Sequence, residues 1–192
     1  MTIVPPQPST SPALQEPLYA PWGSVTAAFW MTADGAPAPT PAVLVALRER
    51  LAEVAAAAVA GQLDQAVRLA TELDREITAQ YGEPHIHTIE VREVRGYLAH
   101  LTGDHAAAVG WYLHAARLRS GVQGRSHPDT AQATRRAYSL WRAMPATVDR
   151  HPHGVELLAT VIDIHGPDAA VVHHTRKRLE SLVLPSTAST QA

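Results

Sequence analysis

Residues 81–88 read YGEPHIHT and residues 122–130 read VQGRSHPDT. Each stretch places a histidine three residues after a glycine and a threonine three further: Gly82-His85-Thr88 and Gly124-His127-Thr130. Every member of the second triplet follows its counterpart in the first by the same step, 82 to 124, 85 to 127 and 88 to 130. Either they are pieces of one site, such as metal ligands, or they punctuate a repeating structural unit. The rest of the chain decides between these.

The same offset, 42, recurs elsewhere. It relates Gly61 to Gly103 and Gly124 to Gly166. Ala66-Val67 returns as Ala108-Val109, and Leu98 as Leu140. Agreement on one offset across several residue types points to a repeat architecture. In that frame the glycines end helices, where the backbone needs a left-handed turn. Pro128 and Asp129 start the next helix, since proline and acids suit the first turn.

Helical periodicity fills the spaces between these marks. Helices are expected over residues 41–60, 62–81, 86–101, 104–122, 128–143, 153–165 and 167–183. In 62–81 one stripe carries Leu63, Ala66, Val67, Ala70, Leu73, Ile77 and Tyr81. The stretch PATVDRHPHG, ending at Gly154, reads as a break before the sixth helix. No strand is credible. Hydrophobic residues make up 46 % of the chain but aromatics only 5 %, which suits close-packed helices better than a β-sandwich.

Nine of the 15 prolines lie in residues 1–41, a density that forbids regular helix. Residues 1–40 therefore read as a Pro-rich arm, disordered over 1–17. Within it, 18–31 (LYAPWGSVTAAFWM) forms an aromatic anchor with Tyr19, Trp22, Phe29 and Trp30. That anchor packs on its own domain, or docks on a partner or on a second protomer as a homodimer. Residues 41–184 form the helical domain and 185–192 a disordered tail.

Composition narrows the function classes. The formal charge is −2, without the basic footprint of a nucleic-acid binder. The chain has no cysteine, which excludes disulfides and thiolate metal sites. Its opening residues lack a basic region followed by an apolar run, so no secretory signal is expected. No apolar stretch is long enough for a membrane span. A cytoplasmic location is the expectation.

The eleven histidines invite a metal reading at His85/His87, His151/His153 or His173/His174. No HExxH is present and no carboxylate accompanies these pairs at regular spacing, so neither a metal nor a cofactor is expected. No GxSxG occurs, and no catalytic residue is assigned.

The segment 103–141, GDHAAAVGWYLHAARLRSGVQGRSHPDTAQATRRAYSLW, resembles the 42-residue tetratricopeptide repeat of kinesin light chains and many actinobacterial proteins. The resemblance extends to residues 61–102. It implies an all-α, tetratricopeptide-like superhelix of about seven helices, acting as a non-catalytic protein–protein interaction adaptor or scaffold. It also implies that the first helix of each pair lines a concave groove. Matching phase puts Glu90, Glu93, Tyr97 and His100 there from one repeat. The next repeat supplies Gln132, Arg135, Ser139 and Arg142, with Arg136 beside them, and the last helix supplies His174, Lys177 and Ser181. Pro145, Pro152 and Gly154 depart from the family's normal turn. So does the absence of asparagine, which family members use to hold a ligand backbone.

Residues 61–102 carry a net charge of −3 (seven acids, four arginines) and 103–144 a net charge of +4 (two acids, six arginines). An acidic end and a basic end of the groove are expected. The basic end suits a partner with an acidic segment or a C-terminal carboxylate. Two other readings stay open: a DNA-associated regulator using the basic helix 128–143, and a small metal-dependent enzyme.

Overall fold

The computed structural model describes residues 41–183. The arm, with Trp22, Phe29 and Trp30, and the tail 185–192 lie outside the described residues. Seven helices follow one another: α1 (Pro41–Val59), α2 (Leu63–Tyr81), α3 (Ile86–Leu101), α4 (His105–Val122), α5 (Pro128–Ala143), α6 (His151–His165) and α7 (Ala170–Val183). No strand occurs among the described residues, so the described chain is all-α.

The turns explain the segmentation. Gly61, Gly82, Gly103 and Gly124 are evenly spaced, two to each repeat, and all have positive φ, from 75° to 97°. A side chain in that conformation is strained, so these positions hold glycine. The next position in the series is Pro145, and the turn there changes. The Met144 N–H bonds back to the Trp141 carbonyl, and the chain continues through an irregular segment to α6.

Consecutive helices pack side by side from α1 to α5, and α6 packs on both α7 and α4. One apolar cluster joins Leu47, Leu51 and Val54 of α1 to Leu73 and Ile77 of α2 and Val94 and Leu98 of α3. A second joins Tyr112 and Leu113 of α4 to Leu140 and Trp141 of α5, Leu157 and Val161 of α6, and Val172 of α7. Between the clusters, α3 and α4 approach closely at Gly96. A Cβ there would lie 3.0 Å from Trp111 and 3.1 Å from the Tyr112 ring.

Three expectations change. Gly154 is no break: it lies inside α6, which begins at His151 with Pro152 in the first turn, where the missing N–H costs nothing. A Cβ at Gly154 would come 2.6 Å from the Trp141 indole and 2.7 Å from Leu179. The Trp141 Nε1–H donates to the Arg150 carbonyl at 2.8 Å, tying α5 to the start of α6. The last helix starts at Ala170, not 167, because Gly166-Pro167-Asp168 forms the turn. Val67 leaves the buried stripe of α2 and is exposed, while Asp74 is buried on that helix.

Candidate partner-binding face

The two triplets have the same geometry. The Thr88 hydroxyl donates to the Gly82 carbonyl at 2.7 Å, and the Thr130 hydroxyl to the Gly124 carbonyl at 2.9 Å. His85 Nδ1 accepts from the backbone N–H of His87 at 3.2 Å, and His127 Nδ1 from that of Asp129 at 3.2 Å. Each histidine is thus an N-cap that satisfies an orphan donor of the following helix. Each threonine ties the same helix to the preceding left-handed turn. His85 also stacks on Tyr81, with ring centroids 4.7 Å apart. Among the described residues no group of three or more His, Asp or Glu side chains is arranged to hold a metal ion.

These matched connections set α3 and α5 in equivalent positions, and the stripe residues on them can be placed. Glu90 and Glu93 are buried, each 6 % exposed, and Arg136 is buried at 5 %. Tyr97, His100 and Ser139 are half-buried. Arg135, Arg142 and Lys177 are exposed. The expected division into an acidic and a basic end is therefore corrected: the acidic pair and Arg136 do not present their charge to solvent.

The reason is a residue on another helix. Arg119 of α4, only 2 % exposed, donates to both carboxylate oxygens of Glu93, Nε at 2.7 Å and Nη2 at 3.0 Å. Arg136 Nη1 of α5 stands 3.7 Å from the same carboxylate. The Arg136 guanidinium also lies 5.9 Å over the Tyr112 ring of α4. Arg119 reaches Gln123 at 2.8 Å and Asp129 at 3.4 Å. One buried carboxylate thus links α3, α4 and α5 through two arginines. Paired and hydrogen-bonded, these charges tolerate burial; left unpaired they would not.

Glu90 lies one turn earlier, its Oε2 3.5 Å from His87 Nδ1. Burial raises its carboxyl well above the usual range, against the opposing pull of Arg119. Burial lowers His87 to about 4, with His85 adding to the effect. Burial thus favours the neutral form of both side chains of this pair.

The exposed basic residues have local company. The Arg142 guanidinium lies 5.8 Å over the Tyr138 ring. Arg135 sits near His165 at the end of α6; burial and then Arg135 lower the pKa of that imidazole. Thr134, next to Arg135, lies 3.1 Å from His165 Nε2. Lys177 is on α7.

A second network escaped sequence reading altogether. Buried Asp74 of α2 accepts from Arg92 Nε at 3.3 Å and is also paired with Arg95. Arg92 Nη1 reaches Glu83 at 2.6 Å. Arg95 stacks 4.0 Å from the Trp111 ring centroid. Arg95 and Trp111 border an open cleft of about 250 Å³, lined also by Val67, Thr71, Thr102 and Asp104. The only sequence signal for this network was an aspartate interrupting the apolar stripe of α2.

Among the described residues no helix is long and apolar enough to cross a membrane. No protein-family model matches the chain, and no curated protein matches it.

Proposed function

We propose that this chain is a non-catalytic adaptor or regulatory scaffold of the cytoplasm, built as a tetratricopeptide-like superhelix. It binds another protein or peptide along the face shared by α3, α5 and α7. The observation that carries this reading is the pair of matching connections, Gly82–Thr88 and Gly124–Thr130. Helix pairs that repeat in register stack into a solenoid with a continuous binding face. On that face Glu93 and Arg136 hold the layers together, while Arg135, Arg142 and Lys177 remain for a partner.

A ligand with an acidic segment or a C-terminal carboxylate suits these cations, because arginine forks match carboxylates. The buried Arg136 leaves Arg135 and Arg142 as the exposed arginines of α5. That is a thin set for tracking a phosphate backbone, so a protein partner is the better reading.

The test is the double variant Arg135→Glu/Lys177→Glu, checked first for unchanged helicity. Two charge-assisted contacts, partly desolvated, contribute about 1.5–3 kcal/mol each. Affinity for a co-purifying partner should then fall roughly 100-fold or more. Binding as tight as the parent's would overturn the assignment of this face.

A further inference from the structure

We infer that His114, Arg92, Glu83 and Asp74 form a proton-operated latch, which holds α2 against the α3–α4 pair while the His114 imidazole is neutral and lets go when that ring takes up a proton. The latch involves no partner and is independent of the face shared by α3, α5 and α7.

Arg92 is the hub. Its Nη1 donates to Glu83 Oε1 at 2.6 Å and its Nε to Asp74 Oδ1 at 3.3 Å. The same Nη1 lies 2.5 Å from His114 Nε2. A guanidinium has donors only, so the imidazole nitrogen must accept there, which makes the ring neutral with its proton on Nδ1. One guanidinium thus joins α2, the turn before α3, and α4. A proton on Nε2 would aim the N–H of a second cation at Arg92. That contact then breaks, and Glu83 Oε1, 3.4 Å from the ring nitrogen, becomes the acceptor. The Arg92 and Asp74 side chains are each 9 % exposed and that of His114 is 36 % exposed, so protons reach the ring while the guanidinium stays buried. The other charges nearby already have partners. Arg117, one turn further along α4, donates to Glu156 and Thr160 of α6. Arg95 shares Asp74 with Arg92 and stacks on Trp111, whose ring meets His114 edge to face with centroids 6.3 Å apart. Burial and then Arg92 hold the imidazole below its ordinary range, with Arg117 adding to them and Glu83 pulling the other way.

The latch stands where apolar packing is missing. Val67 and Val109 are equivalent positions one repeat apart, yet Val67 is 37 % exposed and Val109 fully buried. Helix α4 packs on α6, while no comparable packing joins α2 to α4 among the described residues. The cleft bordered by Arg95 and Trp111 lies in that gap. One repeat on, Asp74, Glu83, Arg92 and His114 are replaced by Ala116, Arg125, Thr134 and Glu156. The next layer therefore has no such network, and Val109 and Val161 meet there in one apolar cluster. Apolar contacts do not respond to protons, whereas a histidine inside a polar network does. Leu73 and Ile77 still pack α2 against α3, so release is a local opening rather than loss of the fold.

Hydrogen exchange of the full chain tests the latch. His114→Gln keeps an acceptor for Arg92 but cannot be protonated. Amide exchange in α2, corrected for its intrinsic pH dependence, is followed from about pH 7.5 to about pH 5 in both proteins. The contribution of the neutral ring is present above its ordinary value near 6.5 and is lost as the pH falls. Opening of α2 should therefore rise several-fold more in the parent than in His114→Gln, with a ceiling of about 30-fold at about pH 5. His85 and His87 are present in both proteins, so their titration cancels. Helix α6 should respond alike in both. An equal response of α2 in parent and variant would overturn the latch, as would an extra response spread evenly over α2 and α6. Should His114→Gln fail to fold, the imidazole titration decides, followed by NMR in the parent and in Glu83→Gln, a change at an exposed turn position. Removing that carboxylate should move the His114 midpoint down, and an unchanged midpoint overturns the inference.

Discussion

Arg119 and Glu93, on neighbouring helices, form a two-pronged ion pair at 2.7 and 3.0 Å from which solvent is almost excluded. Breaking such a pair takes from a buried charge its two-pronged partner, which costs about 3–5 kcal/mol. Glu93→Ala is expected to lower stability by that amount in urea titrations. The triple variant Glu93→Leu/Arg119→Met/Arg136→Met removes the carboxylate together with both arginines that share it and should regain most of the loss. A Glu93→Ala protein as stable as the parent would show that the pair is not needed to hold α3 against α4.

Acid and alkali should act on His87 and Glu90 in opposite directions. The unfolded imidazole titrates near 6.5, while in the fold burial brings His87 to about 4. The folded state binds fewer protons in that window. The contribution of neutral His87, fully present above about pH 6.5, is therefore lost as the pH falls toward 4. The raised Glu90 carboxyl behaves oppositely. Its contribution is present below the unfolded value near 4.5 and is lost as the pH rises through the folded value. Glu90→Gln should raise Tm at pH 8 by about 2–4 °C per kcal/mol relieved, and do little at pH 4. An equal change at both pH values would rule out the coupling of this carboxyl to folding.

The glycines separate by what surrounds them. At Gly154 a methyl group would press into Trp141 and Leu179. Gly154→Ala should therefore cost about 1–3 kcal/mol through overpacking. Gly110 and Gly121 lie within α4 with nothing inside 4 Å of an added Cβ. Gly110→Ala and Gly121→Ala should each stabilise by about 0.4–1 kcal/mol, because alanine restricts the unfolded chain. Thermal melts of the three single variants give the comparison, and destabilisation by both α4 changes would contradict it.

His85→Ala and His127→Ala remove helix N-caps and should each cost about 1 kcal/mol. Neither should alter metal content, and a chelator should leave the parent's melting temperature unchanged. A structural metal would instead couple to folding. Elemental analysis showing about one zinc per chain would reverse the assignment of these histidines as caps.

Much of the helical framework was legible in the sequence because its determinants are local. Evenly spaced glycines mark turns that require positive φ, and stripes of helical period mark the helices between them. The paired connections, too, join residues close in the chain: Thr88 with Gly82, Thr130 with Gly124, His85 with His87. Composition alone separated this chain from strand-built folds, and the described helices agree.

What tertiary structure decided is which polar residues face inward. A charge on a helix face reads as solvated until its partner is known. The partner of Glu93 is Arg119, on a helix whose rotation against α3 depends on how closely Gly96 lets Tyr112 approach. Gly154 is the same lesson in backbone form. Beside Pro152 it reads as a break, because glycine disfavours helix when nothing else intervenes. Packed against Trp141 and Leu179 it becomes the residue that fits inside α6, because contacts made across helices outweigh a propensity of about 1 kcal/mol.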